Sequence, residues 1–471
     1  MIALKNQLTF NNFMDNFDEL TSEATPKLFN LFNSYIHIDK LIPSSFKERY
    51  YSTAGSPREY SLSSMINFFI LKNILGFSES KQLLNILRIS NDIRKFCGFT
   101  KVPHESQISR FNTNYLKYIN EMFHHLVDIT EPMCEEINSY LANILISDTT
   151  GFEAYVKENN PKFHQSLISQ GKKIAKFKND KNFDVDKFAQ SQTQKKSTAN
   201  PDIKLAFLNS HFGFFLKANV VTNGLGVVRS IDFYDDDMDF TINPSSAKDL
   251  YDATTLIPVL DNYFNIHPKF KYFYFLGDSG FDATDNYTYL VKDKDMIPII
   301  PLNQRNQRNL PKPGFSPLGV PTCPYDSSLE MKYDGITREK GRSDRIKYLC
   351  PKSIKCKING RTAYKLSCDN PYTSYKCGRV IQISINSDYR LNTKIPRNTQ
   401  QWKDLYKIRT VCERAIAQLK SCMGLKSTQL RDTRSIKSNI LFAGITQLIA
   451  LIIFYKSGTF TNVRAIKTLV A

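Results

Sequence analysis

The sequence predicts an α/β protein with an all-helical amino-terminal region and a β-rich insertion late in the chain. Three observations support this fold class. Apolar residues recur at helical spacing between residues 57 and 135. Between residues 140 and 302, apolar and aromatic strand candidates alternate with helical stretches. From 303 to 396, Arg, Lys, Pro, Gly and Cys become frequent, and the stretch ends near a strand-like run, GRVIQISIN.

The composition is that of a globular protein with an excess of positive charge. Of the 471 residues, 41% are hydrophobic and 23% are charged, which is ample core material for two or three domains. The formal net charge of +18 indicates a polyanionic partner, because binding to phosphates releases their counterions. A polybasic membrane-surface protein would need a basic amphipathic helix or a lipidation site, and the sequence shows neither.

Three further features favour the cytoplasm and argue against a membrane. Residues 1–20 lack an apolar core followed by a cleavage site, so they do not predict a signal peptide. Residues 440–455 are very apolar, but the run is shorter than the roughly 20 residues of a membrane span and predicts a buried helix. The nine cysteines are odd in number and sparse, which is typical of a reducing cytosol.

The amino-terminal region is predicted to hold several short helices. Residues 61–76 form an apolar helix, a second helix follows, and residues 104–129 form another. The early turns of this last helix are rich in Gln, Arg and Asn. Such a series resembles a helix-turn-helix DNA reader, with Gln107 and Arg110 as candidate DNA contacts. A plain helical bundle with a solvated polar face is the alternative.

An aspartate follows the first strong strand signal. The apolar run 144–146 precedes Asp148, and the next residues look like a turn that ends at Gly151. We therefore predict a buried strand that delivers Asp148 at its end. Residues 157–200 are polar and Lys-rich, and they predict an exposed, mobile insertion. Such a loop could clamp nucleic acid or simply be solvated.

A second aspartate repeats this pattern. Between the two, the sequence predicts strands at 203–210 and 213–222, a hairpin turn at Asn223-Gly224, a strand at 227–235 and a helix at 245–263 capped by Ser246. The aromatic strand 271–277 then ends directly before Asp278. A helix at 283–293 and a strand at 296–302 follow.

The stretch 401–424 predicts one long helix near the carboxyl end. At about 100° per residue, four polar side chains fall within an arc of roughly 60° beside its apolar stripe: Tyr406, Arg409, Glu413 and Lys420. Charges at the rim of a buried face need partners. An ordinary ion-paired helix flank is one interpretation. Other carboxylates in the chain that could meet Glu413 would favour a functional site instead.

Asp148, Asp278 and Glu413 are three carboxylates on separate rigid elements. Mg²⁺ takes few protein carboxylates and bridges substrate phosphate oxygens, and two such ions suit an in-line phosphoryl displacement. A single Asp near a Gly usually belongs to a turn. The inference therefore rests on three observations together: two strand-end aspartates, the charged rim of the helix and the net charge of +18. Together they predict a metal-dependent phosphoryl transferase that acts on DNA or RNA.

The four rim side chains of the 401–424 helix have the spacing Y-(2)-R-(3)-E-(6)-K. In this motif the sequence resembles bacterial insertion-sequence transposases of the DDE class, whose catalytic core is ribonuclease H-like. Residues 57–120 look like the helical amino-terminal domain that such transposases often carry. The DSGFD run at Asp278 looks like their second catalytic motif.

The resemblance implies a ribonuclease H-like mixed sheet flanked by helices, with the strands of Asp148 and Asp278 side by side and the Glu413 helix packed against the sheet. These three carboxylates would bind two Mg²⁺ ions, with Mn²⁺ as a substitute. Three further residues would contact or support the DNA backbone near the cleaved phosphate: Tyr406, Arg409 and Lys420.

The implied activity is transposition of a mobile element. The protein would bind terminal inverted repeats, cut and join double-stranded DNA, and insert the element into target DNA. It would act as a homo-oligomer in the bacterial cytoplasm, at the nucleoid. A catalytically inactive, DNA-binding regulator derived from a transposase and a host nuclease with the same core are the alternatives. The domains would be an amino-terminal segment (1–56), a helical DNA-binding domain (57–135), the catalytic core (140–302 and 397–456), the β-rich insertion (303–396) and a tail (457–471).

Five cysteines cluster in the insertion: Cys323, Cys350, Cys356, Cys368 and Cys377. Their nearest spacings are wider than the C-x₂₋₄-C pattern of a zinc knuckle. A structural zinc site and a set of buried or free thiols are therefore both open.

Overall fold

The structure, a computed structural model, describes residues 27–52, 57–179, 183–208, 211–234, 251–304, 313–376, 378–427, 429–460 and 466–469. These residues fall into two compact units. The helical unit comprises the described residues before Asn138, those of Phe152–Leu216 and those from Ile416 onward. The sheet unit comprises Asn138–Gly151 and the described residues of Lys217–Ala415.

The α-helices of the described residues are α1 (Lys27–Tyr35), α2 (Ile38–Leu41), α3 (Ser44–Tyr50), α4 (Leu62–Ile74), α5 (Ser80–Ile89), α6 (Asn91–Cys97), α7 (Glu105–Asn114), α8 (Leu116–Ala142), α9 (Pro161–Lys178), α10 (Val185–Gln192), α11 (Asp252–Ile266), α12 (Thr284–Thr288), α13 (Gln400–Ile408), α14 (Thr410–Ala417) and α15 (Thr433–Lys456). Short 3₁₀ helices lie at Lys157–Asn159, Ser279–Phe281, Ile385–Ser387, Leu425–Ser427 and Ile466–Leu469. Two π-helical turns lie at Tyr289–Asp293 and Gln418–Cys422.

The strands are β1 (Ile144–Glu153), β2 (Lys204–Leu208), β3 (His211–Asn223), β4 (Val228–Phe233), β5 (Tyr274–Leu276), β6 (Ile297–Ile299), β7 (Lys332–Thr337), β8 (Arg345–Leu349), β9 (Ser353–Ile358), β10 (Arg361–Leu366) and β11 (Val380–Ser384).

The core of the helical unit lies where α4 packs against α15. Ser61 begins α4 by accepting a hydrogen bond from the Ser64 amide at 3.1 Å, as an N-cap residue does. The rings of Phe69 and Phe442 stack with centroids 4.4 Å apart. By length and composition α15 could cross a membrane, yet 94% of its 18-residue apolar stretch is buried inside the protein. This agrees with the prediction of a buried helix for residues 440–455.

Two predictions for the helical unit need correction. Residues 104–129 do not form one helix, because α7 ends before Tyr115 and α8 begins after it. The described residues of 157–200 are not an unstructured insertion, because α9 and α10 occupy much of this stretch. The Asn160 side chain caps α9 by accepting from the Lys162 amide at 3.0 Å, and a proline takes the first helical position.

A mixed sheet organises the sheet unit. Its strands run in the order β4, β3, β1, β5, β6; β1, β5 and β6 are parallel, and β3 and β4 form an antiparallel hairpin. The predicted hairpin turn is confirmed, because the Asn223 side chain accepts from the amides of Leu225 and Val227 at 3.1 Å each. Within the helical unit, β2 pairs antiparallel with the first part of β3.

The first strand is longer than predicted. β1 continues through Asp148 to Glu153, so Asp148 lies inside a strand and no turn follows it. Thr149, Thr150 and Phe152 are good strand formers, and they outweigh the single glycine among them. Asp278, by contrast, follows the short strand β5 as predicted.

The helix predicted between Asp148 and Asp278 in the chain is present, and it packs on the sheet. Its first described residue lies later than the predicted start at residue 245. α11 begins at Asp252, and the predicted cap Ser246 lies outside the described residues. The buried residues Leu256, Val259 and Leu260 of α11 pack with Leu145 of β1 and Phe275 of β5. This apolar layer fixes β5 and the first residues of β1 against one helix.

The insertion is β-rich. β11, β8 and β7 form one three-stranded sheet in that order, and β9 and β10 form a separate antiparallel pair. A small core of its own lies beneath the larger sheet and includes Val320, Met331, Ile346, Tyr348 and Ile385.

Candidate active site

The parallel pairing of β1 with β5 aligns two aspartates. Ile144 lies opposite Tyr274, and Ile146 lies opposite Leu276. The last pair is Ile146 with Leu276, and Asp148 and Asp278 each follow it by two residues. The negative charge of Asp278 raises the pKa of Asp148, so the two carboxylates lie near each other.

Asp278 is held by the turn that follows β5. Its Oδ1 accepts a hydrogen bond from the Gly280 amide at 2.8 Å, which begins the 3₁₀ helix Ser279–Phe281. A Cβ atom at position 280 would lie 2.8 Å from that same oxygen and 3.0 Å from Oδ2 of Asp252. The glycine of the DSGFD run is therefore required by close packing against two carboxylates.

Arg409 joins Asp148 to Glu413. One guanidinium nitrogen lies 2.5 Å from Oε1 of Glu413, and another lies 3.7 Å from Oδ2 of Asp148. The side chains of Asp148 and Arg409 are 17% and 16% exposed, whereas that of Glu413 is 48% exposed. Asp148 and Glu413 are therefore linked by an arginine that neutralises part of the acidic charge.

Burial disfavours the charged form of both aspartates. It raises the pKa of Asp148 to about 7, where the positive charge of Arg409 opposes the rise and the negative charges of Asp278 and Glu413 add to it. Burial also raises the pKa of Asp278, against the hydrogen bond from Gly280. A site in which carboxylates resist ionisation is one that added positive charge would stabilise.

The 401–424 stretch is not one continuous α-helix. α13 ends before Arg409, where the Arg409 amide donates to the Tyr406 carbonyl at 3.1 Å and the Cys412 amide to the Arg409 carbonyl at 3.0 Å. These tighter bonds span three residues rather than four. α14 carries Glu413 and packs on the sheet, where the buried Cys412 thiol donates to the Val220 carbonyl of β3 at 3.5 Å.

Tyr406 supports Arg409 from one side. The rings of Trp402 and Tyr406 stack with centroids 4.9 Å apart, and the Arg409 guanidinium lies 5.6 Å from the Tyr406 ring centre. Burial raises the pKa of Tyr406, so its hydroxyl stays protonated. This stack holds the guanidinium by cation–π attraction, which gives the first residue of the motif a physical role.

Lys420, the last residue of the motif, belongs to the helical unit. It lies in the π-helical turn after α14, and its ammonium is 5.3 Å from the Phe152 ring centre. Such turns insert one extra residue into a helix and often accompany functional sites.

Two charged residues beside Asp278 were missed from the sequence. Lys217 on β3 donates to Oδ1 of Asp252 at 2.7 Å, and the Thr149 hydroxyl donates to Oδ2 of Asp252 at 3.1 Å. The charge of Asp252 raises the pKa of Asp278, and that of Lys217 lowers it. An acidic residue in the first turn of a helix is a recognisable sequence signal, and Asp252 has this position in α11. The signal was missed because the helix was predicted to begin at residue 245.

The two predicted DNA contacts of the amino-terminal region differ in availability. Both ends of the Gln107 amide are engaged: Oε1 accepts from the His104 amide at 2.8 Å, and Nε2 donates to Glu59 at 3.1 Å. Arg110 is exposed, and its Nε donates to the Ser106 carbonyl at 3.2 Å.

Three of the five clustered cysteines come together. Cys323, Cys350 and Cys368 line one cavity of about 20 Å³. The Cys356 thiol donates elsewhere, to the Ala363 carbonyl at 3.5 Å. Cys377 lies outside the described residues. Within the parts of the chain that the structure describes, no group of three or more His, Cys, Asp or Glu side chains is arranged to hold a metal ion.

The donor chemistry at β1 and β5 nevertheless suits a hard divalent cation. Its acidic side chains offer only carboxylate oxygens, which Mg²⁺ and Mn²⁺ prefer over softer ligands. Burial raises the pKa of Asp148 and of Asp278, so a bound cation would favour their ionised forms. Asp148, Asp278 and Glu413 therefore fit such a cation by donor type and by charge.

Two family models match the chain. Residues 19–114 match one described as Transposase domain (DUF772), and residues 211–449 match one described as Transposase DDE domain. The second match contains Asp278 and Glu413, whereas Asp148 precedes it. No curated protein matches the chain. Because the DDE-domain match spans slightly more than half of the 471 residues, the protein belongs to the DDE-class insertion-sequence transposases, enzymes with a ribonuclease H-like core that catalyse metal-dependent phosphoryl transfer on DNA.

Proposed function

We propose that this transposase binds the terminal inverted repeats of its own insertion sequence and catalyses cleavage and strand transfer with two Mg²⁺ ions. Asp148, Asp278 and Glu413 would hold the ions. The observation that supports the proposal is the parallel pairing of β1, which contains Asp148, with β5, which leads to Asp278. The ion pairs of Arg409 with Asp148 and Glu413 support the choice of Glu413 as the third carboxylate.

The residues of the site divide the work by their positions. Asp148 and Asp278 are fixed by the sheet and by the turn after β5, so they set where the scissile phosphate lies. Bound divalent cations would activate the attacking oxygen and stabilise the leaving oxygen of an in-line displacement. Arg409 neutralises carboxylates in the structure, and its remaining guanidinium donors suit a non-bridging phosphate oxygen. Tyr406 keeps that guanidinium oriented.

The net charge and the family support the proposed partners. A formal charge of +18 favours a long polyanion, and double-stranded DNA provides it both at the element ends and at the target site. Strand transfer joins two ends to one target, so we propose a homo-oligomer assembled on paired ends. We place this assembly in the bacterial cytoplasm, on the nucleoid.

Cleavage of a DNA that carries the element ends tests the proposal. In Mg²⁺, wild-type protein should nick this DNA, and Asp148→Asn and Asp278→Asn should lose activity by at least about 10²–10³-fold. Asp404→Asn is the matched control, since Asp404 lies on α13 but pairs with Lys407 on the exposed side. Equal cleavage by wild type and Asp148→Asn would refute the assignment of the site.

The same assay separates the alternative functions. Specific binding of the ends without cleavage in Mg²⁺ or Mn²⁺ would identify an inactive regulator. Cleavage that does not require the element ends would identify a host nuclease.

Metal binding can be followed without DNA, because the chain contains a single tryptophan. Trp402 is stacked on Tyr406, which in turn contacts Arg409. We expect Mg²⁺ to change the Trp402 fluorescence of the wild type and to leave that of Asp148→Asn/Glu413→Gln unchanged. An identical titration for both proteins would contradict the proposed ligands.

A further inference from the structure

A basic cleft lies within the helical unit, apart from the residues of the candidate active site. It has a volume of about 590 Å³ and is lined by four arginines from four segments: Arg49 at the end of α3, Arg58, Arg110 on α7 and Arg434 in the first turn of α15. All four side chains are exposed. We call this feature the arginine cleft.

The positive charge of the arginine cleft is not neutralised. In the described residues none of the four arginines forms an ion pair with a carboxylate. Glu59 is the acidic residue among the described lining residues, and it is already bound by Lys101 at 3.2 Å and by Gln107 at 3.1 Å. Four unneutralised guanidinium groups around one cavity repel one another, so the site favours an anion of several charges.

The floor of the arginine cleft is rigid. The rings of Tyr50 and Tyr115 lie 5.4 Å apart, and the Tyr50 hydroxyl donates to the Tyr60 carbonyl at 2.8 Å. The Arg58 guanidinium lies 5.3 Å from the Tyr50 ring centre, and its Nε donates to the Tyr50 carbonyl at 2.9 Å. Arg110 is similarly held through its Nε alone. Both residues therefore keep their terminal guanidinium nitrogens for an external acceptor.

We infer that the arginine cleft binds the phosphate backbone of duplex DNA without reading its sequence. Arginine forks match phosphate oxygens, and contacts to the backbone fix position but carry no base information. The side-chain amide of Gln107, which was predicted to contact DNA, is already hydrogen-bonded to the His104 amide and to Glu59. Neither end of this amide is therefore free to read a base. The inference rests on the proposed function and adds a second DNA contact, remote in sequence from the catalytic residues.

Salt-dependent binding by the full-length protein tests the inference. Arg49→Gln/Arg434→Gln is the informative variant, because neither side chain makes a hydrogen bond or ion pair within the described residues, so the fold should persist. Each lost phosphate contact makes the negative slope of log K against log salt less steep by about 0.9. At 0.1 M salt this corresponds to roughly eightfold weaker binding per contact, or roughly 60-fold for two.

The binding is measured by fluorescence anisotropy on two duplexes of equal length, one with an element end and one of unrelated sequence. The double variant should lose the same factor on both. Arg88→Gln removes one exposed charge from α5, outside the cleft, and should bind as wild type does. Unchanged affinity of the double variant would overturn the inference, and so would a loss confined to the element end, which would show sequence reading.

The outcomes for the cleft and for the catalytic site are distinguishable. Wild-type protein that cleaves the element ends while the double variant binds normally would refute the arginine cleft alone. Wild-type protein that neither binds nor cleaves DNA would refute the proposed function together with the cleft.

Discussion

A buried ion pair joins the loop that follows Asp278 to the far end of the β-rich insertion. Arg390 Nε donates to Oδ1 of Asp282 at 2.8 Å, and one Arg390 Nη donates to Oδ2 at 2.7 Å. The two side chains are 5% and 0% exposed. Asp282 also accepts from the Tyr287 hydroxyl at 3.1 Å and from the Asn303 amide at 2.7 Å. We predict that Arg390→Met is strongly destabilising.

The magnitude follows from the burial of the partner. Removing Arg390 leaves the Asp282 carboxylate in the interior with two hydrogen bonds and no opposite charge, which costs about 3–5 kcal/mol. For a unit of some 150–250 residues, 1 kcal/mol moves the midpoint of thermal unfolding by about 2–4 °C. We therefore expect Arg390→Met to lower the unfolding midpoint of the sheet unit by about 10 °C.

Differential scanning calorimetry of the full chain measures this shift. Arg342→Met is the matched control, because Arg342 pairs with Glu339 on the surface, with side chains 61% and 44% exposed. Such a pair contributes about 1 kcal/mol or less, so the control should move the midpoint by no more than about 3 °C. Equal shifts for Arg390→Met and Arg342→Met would refute the reasoning that burial decides the cost.

Three further predictions concern single sites. Burial lowers the pKa of Lys72 from 10.5 to about 8. Between pH 8 and pH 10.5 the unfolded state therefore binds more protons than the folded state. The free energy of unfolding should rise with pH across this range, by up to about 3 kcal/mol. Urea unfolding at pH 8 and pH 10 should show this rise in the wild type and not in Lys72→Met; the same rise in both would contradict it. Gly280→Ala should reduce DNA cleavage at least about tenfold with little change in the unfolding midpoint, since its Cβ would displace the Asp278 carboxylate; full activity would disprove this. Stoichiometric zinc in purified protein, lost on Cys350→Ser, would establish the structural zinc predicted as one option for the insertion; zinc-free folded protein would exclude it.

Local sequence signals predicted most elements whose partners are nearby in the chain. The β3–β4 hairpin followed from Asn223-Gly224, and α4 followed from its apolar spacing. The three carboxylates were predicted from residue types and spacing, and the structure adds the parallel register of β1 with β5. Such a register depends on two strands that are 130 residues apart in the chain, so no local pattern contains it.

The errors have physical causes as well. The stretch 157–200 reads as a loop because its lysines are solvated, yet Glu158 is buried and accepts from Ser197 and Thr198, which closes the stretch on itself. The helix predicted over 401–424 breaks at Arg409, where the sequence has no proline or glycine to signal the break. Lys217 and Asp252 were missed because their pairing depends on tertiary structure and not on spacing.

The continuation of β1 past Asp148 makes the three carboxylates mechanically unequal. The backbone of Asp148 lies inside a ten-residue strand, so its carboxylate adjusts mainly by rotation of its own two side-chain torsions. Asp278 sits at a strand end, on a turn secured by one amide. Glu413 projects from a helix with a long, half-exposed side chain. If these residues bind metal as proposed, Glu413 would therefore adjust most to a cation of different radius, and Asp148 would move least.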